Sequence, residues 1–245
     1  MSAAPLPRAE RGADLARFAP VNAWVFDLDN TLYPRHSNIF PQISERVNTF
    51  LQRLLGVSRE EALRVDRYFH DRYGVTLRGL IVEHGITPDA FLEYVHDIDH
   101  SSLQPDPALA AAIERLPGRK FILTNGSRRH AEKIAERLGI TRHFEDIFDI
   151  VRSELVPKPN RESYDRFIAA TGVRPGEAAM FEDLSRNLLV PQKLGMATVL
   201  VVPDKTIEIV AEAWEQTEED DAHIDFVTDD LGGFLEGVLA AIGAV

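Results

Sequence analysis

The chain has 245 residues, 44% of them hydrophobic and 27% charged, and a formal net charge of −12. That acidity excludes a nucleic-acid duplex or an anionic membrane surface as the main partner, because no basic field draws in a polyanion. The absence of cysteine excludes disulfides, thiolate nucleophiles and Cys-zinc sites.

The first 20 residues lack the apolar block of a secretory signal and read as a flexible lead-in. No apolar run approaches the ~20 residues that span a bilayer, and the absence of cysteine fits a cytoplasmic location. "VNAWVFDL" (21–28), rich in β-branched and aromatic residues, predicts a strand. From Asn38 to Leu55 apolar residues recur at helical spacing, and Ser58 with Glu61 forms the capping box of a second helix. "YGVTLRGL" (73–80) carries two glycines and reads as a loop between helices, and Thr87-Pro88 opens another helix. Residues 35–103 thus read as helix and loop without a strand.

The rhythm then alternates. "KFILT", "FDIV", "AAMFE", "ATVLVV" and "DFVT" read as strands. Helices are expected at 127–138, 161–171, 185–194, 205–215 and the C-terminus, with an acidic surface connection at 215–223. The implied fold is α/β, a Rossmann-like parallel sheet with helices on both faces. The core is residues 21–34 and 104–245, and the all-helical block 35–103 is inserted as a cap.

Ligands of open α/β sheets bind beyond the carboxyl ends of the strands. Asp27 and Asp29 follow the first strand, Thr124 and Asn125 close "KFILTN", Glu182 and Asp183 close "AAMFED", and Lys158 follows "FDIV" by a few residues. Right-handed crossovers bring these ends to one rim. Three carboxylates tolerate one another there when a cation sits among them, and oxygen-only ligands select Mg²⁺. In extended backbone Asp27 and Asp29 share a face. One can attack phosphorus while the other, its pKa raised by the like charge, moves protons. Thr124, backbone N–H groups and Lys158 can hold phosphoryl oxygens.

These segments resemble the haloacid dehalogenase superfamily: "DLDNT" its first motif, "ILTNG" its second, the lysine of "VPKPN" its third and "FEDLSRN" its acidic fourth. "DLDNTLYP", "YGVTLRGL", "YVHDIDHSSLQPDP", "TNGSRRHAEKIAERLGI" and "KPNRESYD" further resemble its pyrimidine 5′-nucleotidase subfamily. The resemblance implies Mg²⁺-dependent hydrolysis of nucleoside monophosphates. It implies Asp27 as nucleophile, Asp29 as acid/base, and Thr124, Asn125 and Lys158 around the phosphate. Asp27, Asp183 and the Asp29 carbonyl would hold the metal. Thr31, Glu182 and Asn187 stand behind these. Glu182 replaces the Asp usual in the subfamily, and Asn187, in place of a second Asp, suits orienting Asp183. Tyr33, His36, Tyr73 and Thr76 are candidate substrate contacts. "HDIDH" (96–100) does not form an HExxH zinc site and reads as structural or surface, and "LGGFLEG" is no dinucleotide fingerprint. A sugar-phosphate phosphatase, a phosphomutase and a non-enzymatic nucleotide-binding regulator remain alternatives. A dehalogenase would have no use for Asp29. The expected partner is a small phosphate monoester, and the expected assembly a monomer or weak dimer.

Overall fold

The computed structural model describes residues 14–203 and 222–244. Six parallel strands form one sheet in the order β3-β2-β1-β4-β5-β6. They are β1 (Ala23–Phe26), β2 (Arg119–Leu123), β3 (Asp146–Phe148), β4 (Ala178–Glu182), β5 (Ala197–Val201) and β6 (Phe226–Thr228). All four residues of β1 are buried, as a central strand covered on both faces requires. Alternation splits its side chains between two cores. Trp24 and Phe26 join Phe181 and Val199 on one face, under α5 (Pro107–Arg115), α6 (Arg128–Leu138) and α9 (Leu231–Ile242). Ala23 and Val25 join Phe121, Leu123 and Met180 on the other, against α7 (Arg161–Thr171) and α8 (Leu189–Leu194).

Between β1 and α5 lie α1 (Phe40–Leu55), α2 (Arg59–Tyr73), α3 (Thr76–His84) and α4 (Pro88–Val95). Helix α1 packs on α2 and α4, and α2 on α3. The Ser58–Glu61 capping box is formed in both directions. Among the described residues no helix is long and apolar enough to cross a membrane.

Four expectations need correction. Residues 14–20 are not a loose lead-in: Leu15–Phe18 is a 3-10 helix, and the fully buried Phe18 ring stacks on Trp24 at 5.9 Å. Residues 1–13, the helix expected at 205–215 and most of the acidic connection lie outside the described residues. The strand expected at "FDIV" is Asp146–Phe148, because the Asp149 carboxylate accepts from the N–H groups of Arg128 and Arg152 and bends the chain away. The stretch 185–194 opens as a 3-10 helix over Ser185–Leu188.

The fourth correction concerns 73–80, where only Gly74 and Val75 separate α2 from α3. Gly79 does not break α3. It lets the buried Phe69 ring lie against the helix backbone, and an added Cβ would overlap that ring. Gly79→Ala is therefore expected to destabilise the protein by about 1–3 kcal/mol despite the better helix propensity of alanine. A lower midpoint in chemical denaturation is the readout.

Candidate active site

The extended path of β1 continues one residue further, where the Asp27 N–H donates to Phe181 O at 2.9 Å. The chain then turns: Leu28 O accepts from the N–H groups of Thr31 and Leu32, and Asn30 takes φ 60°. Asp27 and Asp29 thus stand at the carboxyl rim of the central strand. The ends of β2 and β4 flank them, and the strand order reverses between β1 and β4.

Lys158 is the hub of this rim. Its ammonium donates to Asp27 Oδ1 at 2.6 Å, Glu182 Oε1 at 2.7 Å and Leu123 O at 2.9 Å, and the side chain is 1% exposed. All three of its donors are used. It therefore stands at the rim as a compact buried positive charge with no spare hydrogen bond. Asn125 fixes its backbone from both sides, accepting from Lys158 N at 2.8 Å and donating to Lys158 O at 3.1 Å. Among the described residues Asp27 Oδ2 meets only the Thr31 hydroxyl, at 3.3 Å. Thr124 Oγ1, buried, accepts from Gly126 N at 2.9 Å.

The two aspartates differ electrostatically. Burial, followed by the opposing pull of Lys158 and the push of Glu182 and Asp29, raises the Asp27 carboxyl to about 7. Burial also acts on Asp29, but the charge and hydrogen bond of His130 and the Tyr33 hydroxyl outweigh it, and its carboxyl ends below the ordinary range. The expectation that like charge raises Asp29 is thereby overturned: the raised member is Asp27. Burial and the neighbouring Glu182 and Asp27 raise Asp183 as well, against the opposing pull of Arg35, whose guanidinium donates to Asp183 Oδ2 at 2.9 Å.

Asp27, Glu182 and Asp183 each offer an oxygen, and these lie within 4.8 Å of one another. Asn30 Oδ1 and Asn187 Oδ1 are buried beside them without hydrogen-bond partners among the described residues. An all-oxygen donor set of this kind fits Mg²⁺. Glu182 is already engaged: it accepts from Lys158, from Asn187 Nδ2 at 2.6 Å and from Leu184 N at 2.8 Å. Asp27 and Asp183 are the carboxylates left to hold a cation.

A cavity of about 300 Å³ opens above this floor. Its walls are apolar side chains of the helical insert, among them Ile43, Val47, Leu63, Leu77, Phe91 and Val95. Asp66, Arg67, His70 and Thr76 form a polar margin, where the Thr76 hydroxyl donates to Asp66.

Of the candidate substrate contacts, only Thr76 lines this cavity. Tyr33 is buried, and its hydroxyl donates to Asp29 Oδ1 at 2.5 Å. His36 is exposed on a 3-10 turn. Tyr73 is half-buried against Phe69, with its hydroxyl bound to Glu83 at 2.7 Å. Asn187 orients Glu182 rather than Asp183. The sequence reading missed His130, Arg35 and Asp66, and took His96 for structural or surface. His96 is in the cavity wall, where burial and then the charge of His130 push its imidazole down to about 3. A signal for His130 existed. It lies three residues past the helix N-cap Ser127, and helical side chains lean back toward the N-terminus, here toward the rim.

A Rossmann-like parallel α/β core with a carboxylate rim under a helical insert is the class that fold and site define. A family model of haloacid dehalogenase-like hydrolases matches residues 21–193, and the chain belongs to this family. Phosphate metabolism protein 8 of Saccharomyces cerevisiae is 27% identical over 193 residues, 71% of this chain and 60% of that protein. The chain thus spans less than two thirds of that relative's length. Among solved structures, the L-2-haloacid dehalogenase of Xanthobacter autotrophicus superposes with a TM-score of 0.54 at 18% identity, covering 89% of this chain and 98% of that one. A putative β-phosphoglucomutase from Thermotoga maritima gives 0.52 at 18% identity, over 92% and 100%. A HAD family hydrolase from Deinococcus radiodurans with bound phosphate and sodium gives 0.54 at 18% identity, over 93% and 98%. At these identities the likeness is one of fold.

Proposed function

We propose that the protein is a Mg²⁺-dependent phosphomonoesterase that hydrolyses nucleoside 5′-monophosphates, with the helical insert as its cap. One observation carries the reading: a lightly held Asp27 Oδ2 beside a buried ammonium and a carboxylate cluster, all beneath an apolar cavity. Asp27 attacks phosphorus and the ester P–O bond breaks. Asp29 acts in its protonated form, which its lowered carboxyl makes the minority one: it gives that proton to the leaving oxygen, then as the carboxylate takes one from the water that displaces Asp27 and frees inorganic phosphate. Thr124 and the backbone N–H groups beside it face the phosphoryl oxygens, and Lys158 offsets their charge. Mg²⁺, held by Asp27, Asp183 and the Asp29 carbonyl, would neutralise the charge gathered there.

The cap walls favour a nucleoside as leaving group. A base brings a flat apolar body with a few polar edges, matching walls such as Leu63 and Phe91 with Asp66, Arg67 and Thr76 at their margin. A sugar phosphate would bury hydroxyls against apolar side chains without partners. The motif resemblance points the same way.

Phosphate release from nucleoside monophosphates, ribose 5-phosphate, hexose phosphates and an alkyl phosphate, with and without Mg²⁺, tests this. Nucleotides are expected to turn over only with Mg²⁺, and ribose 5-phosphate to fall at least ~10-fold behind in kcat/KM. Chloride release from a 2-haloacid without Mg²⁺ would make it a dehalogenase instead. Turnover only with a phosphoryl acceptor other than water would make it a mutase.

A pH dependence follows from the Asp27 carboxyl at about 7. Proton and cation compete for one carboxylate, so Mg²⁺ affinity is weak below that pH and strengthens as pH rises through it. Titration calorimetry from pH 5.5 to 8.5, with proton release measured in buffers of different ionisation enthalpy, reads this directly.

A further inference from the structure

Two hydrogen bonds fall on one oxygen of Asp29. Oδ1 accepts from the Tyr33 hydroxyl at 2.5 Å and meets His130 Nε2 at 2.8 Å. The carboxylate only accepts, so Nε2 carries the hydrogen. The other oxygen, Oδ2, lies on the side of Gly126, which lines the cavity.

The His130 ring is 1% exposed, and its Nδ1 has no hydrogen-bond partner among the described residues. A residue present only to fill space would not bury an unpaired nitrogen, since that is costly and an apolar side chain avoids it. The bond to Asp29 is therefore the polar contact for which this ring is placed. What fixes the ring comes from the insert. The His96 imidazole, at the end of α4, stacks on it with centroids 4.3 Å apart and planes 12° apart. His96 Nδ1 also meets Ser127 Oγ, on the N-cap of the His130 helix, at 3.0 Å. A continuous line of contacts runs from α4 through both imidazoles to Asp29.

We propose that His130 is a positioning residue for Asp29. With Tyr33 it holds Oδ1, so that Oδ2 faces the leaving oxygen, and His96 ties this alignment to the seating of the insert. The proposal rests on the reading of Asp29 as the proton donor of a phosphomonoesterase. It predicts that a fully seated insert and a correctly aimed acid occur together.

His130→Gln puts an amide nitrogen near the place of Nε2, whereas His130→Leu fills the space without a donor. Both are assayed with Mg²⁺ on the best alkyl-type monoester from the screen and on p-nitrophenyl phosphate, whose leaving group departs as an anion without a proton. Here kcat/KM reports the steps up to that departure. His130→Leu is expected to lower kcat/KM on the alkyl-type ester by about 10²-fold, with a loss on the nitrophenyl ester about tenfold smaller, and His130→Gln to recover most of the difference. A merely structural defect would strike both esters alike. Equal losses on the two esters, or a Gln variant no better than Leu, would overturn the proposal. If the Leu variant does not fold, Tyr33→Phe removes the other donor and is read by the same two-ester comparison. A wild-type protein that releases no phosphate from any ester would refute the phosphatase reading itself, so the two failures are distinct.

Discussion

Replacing Asp27 with Asn is expected to cut turnover by at least ~10³-fold and leave the fold intact. An amide does not attack phosphorus, and no other side chain at the rim stands where Asp27 does. The fold survives because the carboxylate is an unfavourable guest: burial and the nearby Glu182 and Asp29 push it up to about 7 against the pull of Lys158. An asparagine oxygen still accepts from the Lys158 ammonium, which keeps Glu182 as its counter-charge. Phosphate release measured beside a thermal melt separates the two effects. A variant with near wild-type turnover would end the assignment of Asp27 as nucleophile.

The second large effect is the reverse, a loss of both activity and stability. Lys158→Met removes three hydrogen bonds and the cation between Asp27 and Glu182. Breaking a buried pair by deleting one partner leaves an uncompensated charge and costs about 3–5 kcal/mol. For a chain of this size the melting temperature should fall by roughly 6–20 °C. The deficit has a sign in pH. Without the ammonium the two carboxylates are driven toward their protonated forms, so the variant recovers as pH falls and worsens as it rises. Arginine is not expected to rescue it, because a planar fork does not fit a hub that serves three acceptors from one nitrogen. Differential scanning calorimetry at pH 5.5 and 8 checks both claims, and a variant that melts like wild type would show the hub to be dispensable.

Much of this arrangement was legible because each strand announces its own end. An apolar run stopping at Asp27, Thr124 or Glu182 marks where backbone leaves the core, and parallel topology brings such ends together. Side-chain partnerships were harder to read. Asp27 and Asp29 look equivalent in "DLDNT"; burial raises one against the pull of Lys158, and His130 lowers the other. His96 and His130 are 34 residues apart, and their stack exists only because α4 comes to rest on the start of α6. Gly79 resembled a helix breaker because nothing local reveals that Phe69, one helix earlier, needs the space. Phe18 likewise showed no periodicity, and its place is set by Trp24, Phe226 and Phe234.

The walls of the cavity come from one uninterrupted stretch, residues 40–96, and its floor from the loops that follow separate strands. The parts that shape the cavity and the parts that wire the rim are therefore separate in the chain. Under the proposed function, a change at Leu63 or Phe91 would revise which molecule fits, while the rim keeps its wiring. On that reading, substrate range would be transferable by exchanging a single segment, provided the incoming piece still offers an aromatic ring where His96 meets His130.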